Sequence, residues 1–150
     1  MSLYDWLLFL HVLAAFSAVA GVVFLLALLA ATWRAVSAAE ALPLLRLSGP
    51  AARLWDVGGA GTLVFGVWLA IYVDGYELWD GWIVAALVLW VVAAATGTRA
   101  GAVYRTALRA GPGGSGELAA IRAQRSVVLH AIMALAVTAL LVDMIFKPGA

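Results

Sequence analysis

Two histidines are the residues of this chain best placed to do chemistry, because each interrupts a long apolar run. His11 lies in LLFLHVLAAFSAVAGVVFLLALLAATW and His130 in SVVLHAIMALAVTALLV. An imidazole there can ligate a metal, pass a proton or hydrogen-bond a neighbouring carbonyl or hydroxyl. Inside an apolar segment an ionisable group costs roughly 3 kcal/mol or more unless it is paired. The preferred reading of both rings is therefore a neutral imidazole satisfied by an adjacent helix. His11 is also the best ligand candidate in the chain, for a metal or for haem b. Trp68 and Trp90 lie deeper in their apolar runs than an interfacial position requires. They either fill a core or flank a flat ligand such as a haem or a quinone. His11, His130, Trp68 and Trp90 make up the candidate cofactor-binding set.

The remaining ionisable residues read as structural. Arg53 precedes Asp56 by three residues and suits an interfacial ion pair. Asp143 and Lys147 are spaced i,i+4 with the acid first, the favourable order on a helix. Arg122 and Arg125 flank the start of the last apolar run and suit lipid phosphate.

Several chemistries lack their residues. With no cysteine, the chain has no disulfide, Cys-ligated zinc, iron–sulfur cluster or catalytic thiol. There is no Ser/His/Asp set and no pair of intramembrane carboxylates, which leaves the question of an enzyme open but leaning to no. GPGGSG follows no strand and lacks the lysine of a phosphate-cradling loop. No two histidines stand at i,i+3 or i,i+4 on one helix.

The elements that position these residues are legible from hydropathy. Of 150 residues 66% are apolar and 11% charged, with a mean hydropathy of +1.06. An ordinary soluble domain carries about 25% charged residues, so a bilayer is the fitting solvent. Crossing ~30 Å of hydrocarbon takes about 20 apolar residues, within a range of about 17–25. Residues 6–33, 57–73, 81–98 and 126–142 carry no Asp, Glu, Lys or Arg. Extended to their interfaces, the spans are expected at about 4–33, 53–75, 79–105 and 120–146, in a single transmembrane domain. All are helical, since open strands cannot satisfy their backbone in lipid. Short connections make neighbours antiparallel. The expected fold is thus all-α, a polytopic up-down four-helix bundle. The first run exceeds the length of a signal-peptide core and lacks a basic flank, so it reads as a retained span. No internal repeat is evident.

Orientation follows from arginine. Arg34, Arg46, Arg53, Arg99, Arg105, Arg109, Arg122 and Arg125 fall on one side, Lys147 alone on the other with Asp5, Asp74, Glu77, Asp80 and Asp143. The positive-inside rule places the arginine side in the cytoplasm and both termini outside, as in a bacterial inner (plasma) membrane. The partners expected are the bilayer, anionic lipid at the arginines and a second copy of the chain; nucleic acid is not expected. Tyr4, Trp6, Tyr72, Tyr76, Trp79 and Trp82 read as an outer aromatic belt, and Trp33, Trp55 and Tyr104 as an inner one. Along a helix axis His11 lies ~10 Å outward of its span's centre and His130 ~9 Å inward of its own. The two rings of one subunit are therefore not expected to ligate one haem.

In SAAEALPLLRL, Ser37 and Glu40 have the spacing of a capping box. Leu42, Leu44, Leu45 and Leu47 suit the membrane surface, but Pro43 falls beyond a first turn and argues against a helix. Pro50 stands where a first turn tolerates it, and AGPGGSGE breaks the chain, with Glu117 suited to the next helix's N-terminal end. Helices in lipid pair through small residues. Gly58, Thr62, Gly66 and Ala70 form a four-residue ridge, and Ala93, Gly97 and Gly101 a second. Ala14 with Ala18, Ser17 with Gly21, and His130 with Ala134 and Thr138 repeat the spacing. The ridges read as bundle packing, or alternatively as an oligomer contact or cofactor groove.

WLLFLHVLAAFSAVAGVVFLLALL resembles the first helix of small bacterial four-helix membrane proteins in the copper-resistance D-like grouping. It also resembles an uncharacterised family of integral membrane proteins of about this length. DVGGAGTLVFGVWLAIYVDGYELWDGWIVAALVLWVV is similar to the second and third helices of that family. The resemblance implies association with haem or copper and makes His11 the position to watch. FSAVAG stands where the grouping often has Trp-x-Gly-Gly, and the three methionines are Met1, Met133 and Met144; this argues against copper transport. Three functions stay open. The first is a membrane subunit or small oligomer of unassigned activity, the reading the sequence favours. The others are a haem- or quinone-binding redox protein built on His11, and a small-solute or proton-coupled transporter using both histidines.

Overall fold

The computed structural model describes residues 2–110 and 115–147, as six helices with no strand among them. These are α1 (Leu3–Arg34), α2 (Ala38–Arg46), α3 (Ser48–Tyr72), α4 (Gly81–Ala110), α5 (Ser115–Arg122) and α6 (Gln124–Phe146). Helices α1, α3, α4 and α6 are long and apolar enough to cross a membrane, and they form the expected all-α bundle. The fourth span begins at Gln124, four residues later than expected, because the chain breaks between α5 and α6 at Ala123. The glycine-rich break around Pro112 and the side chain of Glu117 lie outside the described residues.

Local chemistry sets the helix starts. Ser2 caps α1: its hydroxyl accepts from the Asp5 amide at 3.2 Å and the Asp5 carboxylate accepts from the Ser2 amide at 2.7 Å, a reciprocal box that satisfies two free donors. Ser37 caps α2 through the Glu40 amide, while the Glu40 carboxylate reaches back to the Val36 amide rather than to Ser37. The segment expected to avoid helix is thus helical despite Pro43. Ala41 and Leu45, one turn apart, are buried in the bundle, and that packing outweighs the hydrogen bond Pro43 cannot make. Leu45 is therefore a core residue and not a surface one.

The four long helices form two intimate antiparallel pairs, α1 with α3 and α4 with α6. In the first pair backbone meets backbone. A Cβ at Gly21 would stand 2.5 Å from the Trp55 amide nitrogen and 2.9 Å from its Cα; one at Gly58 would overlap Ala18, with Ala14 O at 2.7 Å. Small-residue approach of this kind is what associates helices in lipid. In the second pair, side chains fill the seam: Met133 lies against Gly97, its Cε 3.1 Å from where a Cβ would be. The ridge residues Gly58, Thr62, Gly66, Ala70, Ala93 and Gly97 are thus occupied inside one chain; Gly101 meets only the Arg105 side chain.

The pairs join in a continuous core at the arginine end, where Leu25, Leu28, Leu29, Tyr104, Ala107 and Ile121 pack together. At the opposite, acidic end, only a small cluster of Ala70, Trp82 and Ile83 joins them, and a cavity opens between the pairs. Three belt assignments are corrected: Trp55, Trp82 and Tyr104 are buried, at 8%, 6% and 1% exposure. Tyr4, Trp6, Tyr72 and Trp79 at the acidic end and Trp33 at the arginine end do face outward.

Candidate functional site

The cavity has a volume of about 570 Å³, within the usual range of small-molecule sites, roughly 300–1,000 Å³. All four long helices line it, and its walls are mainly apolar. Tyr4, His11, Thr62, Tyr76, Trp82, Trp90, Met144 and Lys147 are the lining residues with a side-chain heteroatom or cation.

His11 is set by α3. A Cβ at Gly66 would stand 2.9 Å from His11 Cε1 and 3.2 Å from Nδ1, so the ring rests on bare backbone. Its Nδ1 lies 3.0 Å from Thr62 O. A carbonyl only accepts, so Nδ1 carries the proton and donates it, and the neutral ring presents Nε2 as a lone pair. Nε2 has no hydrogen-bond partner among the described residues. A metal-ligating histidine is built the same way, with its other N–H tied to a carbonyl that fixes tautomer and orientation. Trp90 is braced similarly: its Nε1–H donates to Gly59 O at 3.0 Å. Thr62 Oγ1 donates to Gly58 O at 2.8 Å. Glycine-rich α3 thus offers successive carbonyls at positions 58, 59 and 62 as acceptors for side chains. Two of those donors come from α1 and α4, because little shields the α3 main chain from them.

At the acidic end Lys147 lines the cavity. Its ammonium donates to the Tyr76 hydroxyl at 2.8 Å and lies 4.8 Å and 5.2 Å from the ring centroids of Tyr76 and Trp82, within cation–π range. Tyr76 and Trp82 meet edge to face at 5.2 Å. Trp82 Nε1 and Asp143 Oδ2 are buried with no hydrogen-bond partner among the described residues. The expected pairing of Asp143 with Lys147 does not form: the lysine turns to the aromatic rings instead. Arg53 and Asp56 also make no ion pair; no Lys or Arg nitrogen lies within 4.0 Å of a carboxylate oxygen among the described residues. Both face outward, where water solvates each separately.

His130 sits elsewhere and is closed in. It is 1% exposed, on the seam of α4 and α6. Nδ1–H donates to Ser126 O, the atoms 2.8 Å apart, so Nε2 accepts from the Tyr104 hydroxyl at 3.2 Å. The two rings stand edge to face at 90°. His130 does not line the cavity, and its hydrogen-bond partners differ from that of His11. Of the four candidate residues, the structure brings His11 and Trp90 together and separates His130 from them. Trp68 is half exposed, at 49%, on the outer face of α3, and flanks nothing in the cavity. Among the described residues no group of three or more His, Cys, Asp or Glu side chains converges on a metal position.

Arg122 is turned inward rather than toward lipid. Its Nε and Nη2 donate to Thr32 O at 3.1 Å and 2.8 Å, and Nη2 also donates to Ala35 O. The last carbonyls of α1 have no intrahelical donor and form the negative end of the helix dipole. A planar guanidinium fork suits them.

Sequence reasoning did not single out Tyr76, Trp82, Met144 or Lys147 for a site. Their signal was an aromatic–cation grouping at one end of the bundle, visible only once α6 is laid beside the α3–α4 connection. Comparison with known proteins finds no matching family model, no similar curated protein and no similar solved structure.

Proposed function

We propose that this chain is a multi-pass inner-membrane protein that holds a flat apolar cofactor in the acidic-end cavity, with His11 Nε2 as the ligand to haem b. The arginine end faces the cytoplasm and both termini lie outside; the excess of arginine on that side supports this. One observation carries the reading: His11 stands on the cavity wall with Nδ1–H committed to Thr62 O and Nε2 unpartnered. A largely apolar cavity with one fixed nitrogen lone pair suits a porphyrin held by a single protein ligand. Trp90 flanks the same space, and Met144 adds a thioether to its wall. Bound haem would supply one-electron transfer, and the chain would serve as a redox subunit of a membrane assembly.

A quinol is the second reading, favoured by the same lone pair. The Trp90 N–H is spent on Gly59 O, so these two residues present an acceptor and no free donor. That suits a ligand hydroxyl better than a quinone carbonyl.

The test is the absorption spectrum of the detergent-purified protein, before and after haem loading. A Soret band that His11→Ala abolishes, while Trp68→Ala leaves it intact, is the expected result. A loaded protein with no Soret band sinks the haem reading; if a quinol then quenches tryptophan fluorescence and His11→Ala prevents it, the second reading stands.

A further inference from the structure

The geometry points to a carboxylate on the cavity's occupant, held at the acidic end by Lys147 on its Tyr76–Trp82 platform. The inference rests on the cavity being the ligand site, but not on that ligand being haem.

Lys147 is the single Lys or Arg residue of this end, and it lines the cavity. An ammonium has three donors; one goes to the Tyr76 hydroxyl, and no carboxylate lies within 4.0 Å of it among the described residues. It is held in place: the backbone at Lys147 is left-handed, with φ of 40°, and its amide donates to Asp143 O at 2.8 Å. Two aromatic rings flank the charge without neutralising it. Trp82, itself 6% exposed and on the cavity wall, has an indole N–H with no acceptor among the described residues.

Three of the five acids of this end are engaged elsewhere. Asp5 accepts from the Ser2 amide, Glu77 from the Trp79 indole, and Asp80 from the Glu77 amide. Asp74 is exposed on the α3–α4 connection. Asp143 is buried one turn before Lys147 and does not line the cavity. An apolar chamber lined at one end by a cation with no carboxylate partner among the described residues matches an amphiphile whose carboxylate sits at that end and whose apolar body lies inside. His11 is eight residues into α1, about 12 Å from that end along the axis, so head and body are read at separate depths. Two sources share this chemistry, a porphyrin propionate and a long-chain fatty acid.

The experiment uses the full chain in detergent and four probes: haemin, haemin dimethyl ester, dibromostearic acid and its methyl ester. Haemin is followed by its Soret band and the brominated lipids by tryptophan quenching. Wild type is expected to prefer at least one acid over its ester by about tenfold. Lys147→Gln removes that preference and Lys147→Arg keeps it. Preference confined to haemin identifies the propionate source, and preference confined to the brominated acid identifies a fatty acid. Equal binding of acid and ester by wild type, or a preference that survives Lys147→Gln, overturns the proposal. A Soret band dependent on His11 but equal for haemin and its ester leaves the haem reading standing and removes this one. Acid-selective quenching without any Soret band does the reverse.

Discussion

Each half of the bundle holds one histidine, and the two are built alike on one ring nitrogen and differently on the other. Both Nδ1–H groups donate to a main-chain carbonyl, His11 to Thr62 O and His130 to Ser126 O. At the arginine end His130 Nε2 receives the Tyr104 hydroxyl inside a filled core. At the acidic end His11 lines the cavity and its Nε2 has no hydrogen-bond partner among the described residues. The difference separates a histidine that holds helices together from one that is held by them. The first satisfies its neighbours' polar atoms and is satisfied in turn; the second is oriented by the fold but leaves its lone pair unspent.

The largest expected effect breaks this contrast most directly. His130→Ala strands the Tyr104 hydroxyl in a closed core and empties a packed volume, at a cost of about 3 kcal/mol. His11→Ala removes a ring that already borders a cavity, and its cost should stay under about 1 kcal/mol, near the average for polar contacts between membrane helices. SDS titration in mixed micelles, followed by circular dichroism, measures both. Equal losses would show that the two sites do the same structural work.

That contrast could not be read from the sequence, although the spans could. Hydropathy locates α1, α3, α4 and α6 within a few residues, because lipid imposes a length. Small-residue spacing identified Gly58 and Gly66 as a contact ridge, because close approach needs missing side chains. Rotation about each helix axis is a different matter: in lipid the outward face is as apolar as the inward one. Trp68 and Trp90 therefore look equivalent in the chain, yet one faces outward and the other donates to Gly59 O. The Tyr104–His130 and Tyr76–Lys147 contacts join residues 26 and 71 positions apart, beyond any local spacing rule. As local chemistry Pro43 argues against helix α2, whereas burial of Ala41 and Leu45 decides the outcome.

A smaller perturbation sharpens the comparison from the other side. Gly66→Ala places a methyl 2.9 Å from His11 Cε1, and the ring must swing off Thr62 O to admit it. The stability cost is about 1–2 kcal/mol, because a side chain and not backbone gives way. Ligand binding should fall as far as in His11→Ala, since the lone pair loses its aim. Retained haem affinity in this variant would show that the Thr62 carbonyl does not position the ring.

Tyr104→Phe keeps the edge-to-face ring contact at the other histidine and removes only the hydroxyl that serves Nε2. The expected loss is about 0.6–1.5 kcal/mol, the range of a single polar contact in a membrane protein. No change in haem or lipid binding should accompany it, because Tyr104 does not line the cavity. A binding defect would link the two halves, which the contacts described here keep separate.

The smallest effect comes from the strap at the arginine end. Arg122 reaches from α5 to the final carbonyls of α1, spanning 90 residues of sequence to Thr32. Arg122→Lys keeps the charge at the negative end of the helix dipole and gives up the fork that serves Thr32 O and Ala35 O together. The remaining dipole interaction limits the global loss to about 0.5 kcal/mol, so an unfolding titration should scarcely move. Local opening is the sensitive readout: amide exchange in the last turn of α1 should quicken, while exchange around Leu8 and Ala70 at the cavity stays as in wild type. The packed core of Leu28, Leu29, Tyr104 and Ile121 lies between strap and cavity and should confine the disturbance. If exchange rises at the cavity as well, that core transmits movement instead of blocking it, and the open histidine would answer to events at the arginine end.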